Sequence, residues 1–71
     1  MTHNRATDLS DRERQVLHLI AEGHTDAEIA SVLCISVYTA QNHVKSILRK
    51  LNARNRTQAS TIYGRMTNSS Y

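Results

Sequence analysis

Apolar residues recur along this chain at three- and four-residue spacing, the period of an amphipathic helix. Four such segments follow one another, and alternation with a period of two residues, which would indicate strands, is absent. The chain has no proline and only two glycines, so little interrupts its helices. The pattern predicts an all-α chain of four short helices packed as a compact bundle, with polar tails over residues 1–8 and 66–71.

Cap residues predict where the first two helices begin. Ser10 and Glu13 form a capping box, in which each side chain accepts a hydrogen bond from the backbone N–H of the other residue, so a helix should begin immediately after Ser10. Gly23 supplies the left-handed residue that ends this helix. Thr25 with Glu28 repeats the box and opens a shorter helix. Its apolar positions are expected to face inward: Ile29, Ala30, Val32 and Leu33.

The third helix is the longest. Cys34 and Ile35 form a tight connection in which the thiol is expected to be buried and inert, and Ser36 caps a helix over residues 37–51. Asn52 provides a left-handed end, because asparagine is second only to glycine there. The stripe predicted to lie in the core consists of Val37, Ala40, Val44, Ile47, Leu48 and Leu51.

A fourth helix follows after a short turn. Asn55 with Gln58 repeats the capping-box logic, and the helix should run to about Arg65. Its apolar residues fall on one side: Ala59, Ile62, Tyr63 and Met66. The four helices are expected to contain about 13, 8, 15 and 10 residues, joined by turns of a few residues.

The opposite side of the third helix is polar and contains no acid. At about 100° of rotation per residue, one stripe on this side consists of Tyr38, Gln41, Asn42, Lys45 and Arg49. It is flanked by Thr39, His43, Ser46 and Lys50. Ordinary solvated helix faces mix charges of both signs in pairs such as Glu with Lys. Amides pair with adenine, lysine donates to guanine, and cations and hydroxyls bind phosphates, so this surface favours the major groove of DNA as its partner.

Charge is divided unequally along the chain. Nine Lys or Arg against six Asp or Glu give a formal charge of +3. All six acids lie in residues 1–28, where the balance is −3, whereas residues 29–71 carry only cations and reach +6. Such an asymmetry indicates a polyanionic partner. With three tyrosines and no Phe or Trp, the chain lacks the aromatic platforms of single-strand binders, so duplex DNA is favoured.

The sequence offers no other class of site. One cysteine precludes an internal disulfide, and the histidines show no spacing for zinc ligands. No nucleophile with a nearby base, carboxylate pair or phosphate-binding loop is present, so we expect no enzyme activity, cofactor, metal or small-molecule ligand. No apolar run approaches the roughly 18 residues of a membrane span, and the first residues lack a signal peptide's hydrophobic stretch. We therefore expect a cytoplasmic protein that is associated with the nucleoid when bound to DNA.

Six stretches, taken in order, resemble the LuxR/GerE-type helix-turn-helix family. They are LSDRERQVL at 9–17, IAEG at 20–23, EIA at 28–30, ISVYT at 35–39, HVKSILRKL at 43–51 and RNRTQA at 54–59. Each stretch alone is weak, but their order and spacing together are specific. The resemblance extends over residues 9–65, where we expect the DNA-binding domain.

This resemblance implies a bacterial transcriptional regulator whose second and third helices form the helix-turn-helix and whose fourth makes a homodimer on a two-fold related site. The third helix would lie in the major groove, with half-sites about one helical turn apart. Base edges would be read by Gln41, Asn42 and Lys45. Backbone contacts would come from Thr25, Ser36, Tyr38, Thr39, His43, Ser46, Arg49 and Lys50. The dimer interface would include Ala59, Ile62 and Tyr63, of which Ile62 and Tyr63 could instead belong to the core. Glu13 would brace the interior, with Arg54 as its partner.

Three residues depart from the family pattern. Tyr38 stands where a basic or small polar residue is usual, Ala40 replaces a larger aliphatic residue, and Asn52 replaces glycine. Tyr38 keeps open an alternative function, a protein-interaction module that dimerises with a larger LuxR-type regulator and blocks it. Most relatives join this module to a receiver or sensing domain, for which 71 residues leave no room, so we expect a stand-alone protein or an output domain.

Overall fold

The computed structural model describes residues 8–68, and within that range the chain forms four α-helices without a strand. The helices are α1 (Asp11–Ala21), α2 (Asp26–Leu33), α3 (Val37–Leu51) and α4 (Arg56–Asn68). The predicted all-α fold is confirmed. The expected tails fall largely at residues 1–7 and 69–71, which lie outside the described residues.

Reciprocal caps begin α1 and α2, as predicted. The Ser10 hydroxyl accepts the Glu13 N–H at 3.1 Å, and Glu13 Oε1 accepts the Ser10 N–H at 2.9 Å. Thr25 and Glu28 exchange the equivalent bonds at 3.2 and 2.9 Å. Four backbone N–H groups at helix starts are therefore paired without help from the rest of the fold, which is why local sequence predicts these boundaries.

The first three helices end in one and the same motif. A residue with positive φ follows each of them: Gly23 at 94°, Cys34 at 57° and Asn52 at 56°. Its N–H donates to the carbonyl three residues earlier, and the next N–H donates to the carbonyl five residues earlier, with distances of 2.9 to 3.3 Å. These are Schellman motifs. The left-handed ends at Gly23 and Asn52 are confirmed, but the expected burial of Cys34 is wrong, since its thiol is exposed.

The fourth helix differs from its prediction at both ends. Asn55 Oδ1 accepts the Gln58 N–H at 2.8 Å, but the Gln58 side chain returns its bond to the N–H of Arg54, at 2.6 Å, instead of Asn55. The helix also continues three residues beyond Arg65, to Asn68. No glycine or proline follows Arg65 to end it, so the helix extends into the predicted tail.

The core lies where α1, α3 and α4 meet and extends under α2. Its largest fully buried side chains are Leu17, Ile29, Ile47 and Val16, and Ala40 is also fully buried. Two residues predicted to face inward do not. Val32 is 57% exposed, because it lies about 100° around α2 from the middle of the buried side. Val37 is 43% exposed, because a first-turn side chain tilts toward the helix N-terminus, past the packed turns.

We expect Cys34→Gly to keep or raise the free energy of unfolding, because a left-handed backbone costs an L-residue about 1 kcal/mol and Cys34 is exposed, so little packing is lost with its side chain. Cys34→Val should lower it by about 1–2 kcal/mol, since β-branched side chains are disfavoured at positive φ. Urea denaturation measures both, and Cys34→Ala separates loss of the thiol from the backbone effect. Equal stability of the glycine and valine variants would contradict a left-handed cap.

Candidate nucleic-acid interface

A three-residue turn at positions 34–36 joins α2 to α3. Cys34 adopts the left-handed conformation, and Ile35 packs against the core. Ser36 then caps α3, since its hydroxyl accepts the Thr39 N–H at 3.0 Å and donates to the Thr39 hydroxyl at 2.9 Å. Two packed helices and a turn with fixed backbone angles form a helix-turn-helix. This turn sets the direction in which α3 leaves α2.

The predicted polar stripe of α3 is confirmed as a solvent-exposed surface. Its five members, which we call the reading stripe, are Tyr38, Gln41, Asn42, Lys45 and Arg49, and all are exposed. The first turns of α1 and α2 each carry two acids, whereas the first turn of α3 carries none. The positive end of the α3 dipole therefore has no carboxylate from its own helix beside it, and an anion can approach there.

The flank of the reading stripe faces the rest of the protein. Its members are half-buried: Thr39, His43, Ser46 and Lys50. Three of them have side-chain partners within the fold, because Thr39 accepts a hydrogen bond from Ser36, and Ser46 and Lys50 both donate hydrogen bonds to Glu13. Ser46 and Lys50 therefore have a structural role, and their contacts to the DNA backbone stay a prediction. Sequence reasoning missed this because both residues are types that also bind phosphates.

Glu13 is buried, with 6% of its surface exposed, and holds α1 against α3. Its Oε2 accepts the Ser46 hydroxyl at 2.6 Å, and its Oε1 accepts Lys50 Nζ at 2.9 Å. Burial alone would raise the pKa of this carboxyl, but hydrogen bonds from Lys50, Ser46 and the Ser10 N–H lower its pKa to about 2. The predicted partner Arg54 is wrong, since Arg54 is exposed and its backbone N–H bonds to Gln58.

A second polar link ties α4 to the start of α2. Arg56 Nη1 donates to Asp26 Oδ1 at 2.6 Å, and Nη2 donates to the His24 carbonyl at 2.8 Å. Thr25 lies between these partners and is exposed, and its contact to the DNA backbone stays a prediction. The sequence does not predict this link, because an acid in the first turn, such as Asp26, is already explained by its favourable interaction with the helix dipole.

The predicted dimer residues of α4 lie on the side that faces the protein's own core. Ala59 is fully buried, so it has no surface to offer a second copy, and that prediction is wrong. Ile62 and Tyr63 are half-buried and pack against the core. The Tyr63 hydroxyl lies 2.9 Å from His18 Nδ1, and the two rings meet edge to face with centroids 5.7 Å apart.

Residues 8–68 present no cluster of three His, Cys, Asp or Glu side chains that could hold a metal ion. In the same range, no helix combines the length and apolar composition that a membrane crossing requires.

Residues 7–63 match the sequence profile of the family described as bacterial regulatory proteins, luxR family. The chain belongs to the LuxR family. Its helix-turn-helix is therefore that of a DNA-binding domain found in transcriptional regulators.

Similar proteins are longer regulators. The nitrate/nitrite response regulator protein NarP of Escherichia coli (strain K12) is 46% identical over 55 residues, which are 78% of this chain and 26% of NarP. The transcriptional regulatory protein DesR of Bacillus subtilis (strain 168) is 42% identical over 59 residues, 83% of this chain and 30% of DesR. The response regulator protein VraR of Staphylococcus aureus (strain NCTC 8325 / PS 47) is 47% identical over 51 residues, 72% of this chain and 24% of VraR. This LuxR-family chain thus spans less than a third of the relatives it matches.

Acid should weaken this LuxR-family domain through Glu13. Its folded pKa of about 2 lies below the ordinary value of 4.5, so as the pH falls the unfolded chain takes up the proton first. The contribution of Glu13 is present above pH 4.5 and is lost progressively toward pH 2, a change of about 3 kcal/mol at most. Urea denaturation between pH 6 and about pH 2.5 measures it.

Glu13→Gln should be less stable at neutral pH and should lack this acid-dependent component. Asp11→Asn removes an exposed carboxylate from the first turn of α1 and serves as the matched control. If Glu13→Gln and the parent lost the same free energy of unfolding over this pH range, the assigned hydrogen bonds to Glu13 would be wrong.

Proposed function

We propose that this domain binds a specific double-stranded DNA site as a homodimer and regulates transcription in a bacterium, as a binding protein and not an enzyme. The observation that carries the proposal is the reading stripe, which is exposed, free of acids and held on a fixed helix. NarP and DesR support it, since one is a response regulator and the other a transcriptional regulatory protein.

Base edges are read from the middle of the stripe. Gln41 and Asn42 can each pair through two hydrogen bonds with adenine, and Lys45 can donate to the acceptors of guanine. All three are exposed, so no side chain has to leave the core to reach the groove. This supports the insertion of α3 into the major groove, whose width admits a helix.

Phosphates are bound at the ends and edge of the same surface. Ser36 and Thr39 lie at the N-terminus of α3, where no acid of the first turn competes with a phosphate. Arg49 lies exposed toward the other end of the stripe, Thr25 lies at the start of α2, and His43 lies on the half-buried flank. Ser46 and Lys50 complete the predicted set, with part of their hydrogen-bonding capacity used by Glu13.

The homodimer forms through α4, although not through Ala59. The side of α4 opposite its buried side carries Thr57, Thr61 and Gly64, and a Cβ added at Gly64 would meet no atom within 4 Å. Small side chains with open space beside them allow a second helix to approach closely. Ile62 and Tyr63, both half-buried, lie nearer the core and could contribute at the edge of such an interface.

Binding to duplex DNA should weaken steeply with salt, because neutralising phosphates releases counterions. A fluorescence titration against a duplex selected from a random pool, at several salt concentrations, measures the slope. Arg49→Ala should reduce that slope by about one for each subunit, as expected for one lost phosphate contact. Arg12→Ala removes an exposed cation from α1 and should leave it unchanged. Absence of DNA binding at low salt would instead favour the protein-interaction module.

The same titration identifies the base readers. Lys45→Ala should weaken binding, and Gln41→Ala or Asn42→Ala should relax the preference at one base pair by about 1–3 kcal/mol. Gln15→Ala removes an exposed amide from α1 and is the matched control. If Gln41→Ala and Asn42→Ala discriminate target from scrambled duplexes as well as the parent does, they do not read bases.

Homodimeric binding predicts a strict spacing between half-sites. Moving two half-sites apart by about 5 base pairs places them on opposite faces of the duplex and should abolish cooperative binding, whereas a full turn of about 10 should restore part of it. Gel-shift measurements on a series of spacings test this. Affinity that is insensitive to the spacing would show that the domain binds as a monomer.

A further inference from the structure

Tyr38 is the most exposed large hydrophobic side chain of the described residues. It is 73% exposed, in a chain whose only other aromatic residues are two further tyrosines and its histidines. Within residues 8–68 its hydroxyl has no hydrogen-bond partner and its ring no aromatic contact. Folding therefore does not account for its presence at the second position of α3.

Tyr38 also lies in the middle of the reading stripe, not at its edge. At about 100° per residue, Lys45 and Arg49 fall within about 20° of its direction, while Gln41 and Asn42 fall on either side. The N-terminal part of a recognition helix is the part that meets base edges. Phosphates lie along the rims of the groove, within reach of the half-buried flank and of the C-terminal end of the stripe. The position of Tyr38 is thus that of a base reader.

We propose that Tyr38 reads a thymine, by packing its ring on the C5 methyl group in the major groove. This inference rests on the proposed function and adds a specificity determinant to it. The thymine methyl is the apolar group that base pairs present in the major groove, and apolar side chains recognise it. An uncharged aromatic ring matches that group better than it matches a phosphate.

The neighbours of Tyr38 make the proposal specific. Gln41 and Asn42 lie three and four residues after it, next to it on the helix surface, and their amides suit adenine. Adenine and the thymine methyl are displayed by the same base pair or by adjacent A·T pairs. Lys45 lies about 10 Å further along the helix, a distance of about three base pairs. The thymine should therefore lie among A·T pairs, about three base pairs from the position read by Lys45.

Single-atom changes in the DNA test this. Each thymine of a duplex selected by the parent is replaced in turn by deoxyuridine, which removes only the C5 methyl. At one thymine in each half-site we expect the affinity of the parent to fall about fourfold, the value of one buried methyl group. Tyr38→Ala should bind more weakly and be indifferent to this replacement. Tyr38→Phe should keep the sensitivity, because it retains the ring.

Val37→Ala is the matched control, since Val37 is a neighbouring exposed apolar residue outside the stripe. It should retain the fourfold effect. The proposal is overturned if Tyr38→Phe loses as much affinity as Tyr38→Ala and all variants respond equally to deoxyuridine. That result would mean that the Tyr38 hydroxyl contacts a phosphate and that its ring does not read the methyl group. Loss of the effect in Val37→Ala but not in Tyr38→Ala would also overturn it. Failure to select any duplex would refute the proposed function itself, whereas a selected duplex without methyl dependence refutes only the role of Tyr38.

Discussion

One buried carboxylate orients the helix that carries the recognition chemistry. Glu13 accepts a hydrogen bond from the Ser10 N–H, which completes the cap of α1, and it accepts hydrogen bonds from Ser46 and Lys50 on the flank of α3. A buried charge is costly unless its oxygens are hydrogen-bonded, so removal of one partner would leave an uncompensated charge in the interior. These two hydrogen bonds on α3 lie one turn apart on the same flank, so together they oppose rotation of α3 about its axis. The direction of the reading stripe therefore depends on this contact.

The same contact changes how the charge of the chain is interpreted. Residues 29–71 contain no acid and six cations, an excess that by itself indicates a polyanionic partner. Two of the six are used inside the fold, because Lys50 pairs with Glu13 and Arg56 with Asp26. The four that remain exposed are Lys45, Arg49, Arg54 and Arg65. Acids of residues 1–28 thus cap helices and pair with Lys50 and Arg56. The exposed side of α3 is left with amides and cations.

Local rules account for most of what the sequence could predict. Caps and left-handed ends depend on residues within five positions of one another. The sequence therefore predicts the starts of α1, α2 and α3 and the ends at Gly23 and Asn52. The predictions that were wrong concern contacts between residues far apart in the sequence. Lys50 rather than Arg54 pairs with Glu13 across 37 positions, and the burial of Ala59 and exposure of Val32 depend on which neighbouring helix covers them. Helical periodicity places a residue on a side but does not say how far the neighbouring helix extends.

Packing and base recognition use separate residues on α3, and this separation has a consequence for specificity. The buried stripe and the flank held by Glu13 fix the helix, whereas the reading stripe contributes little to packing, because all five of its members are exposed. Substitutions in the stripe can therefore change the DNA sequence that is recognised at little cost in stability. Tyr38, where the family usually has a basic or small polar residue, is such a change. Replacing a charged or polar group by a ring at a fixed position exchanges a phosphate contact, which carries no sequence information, for an apolar contact that can distinguish thymine.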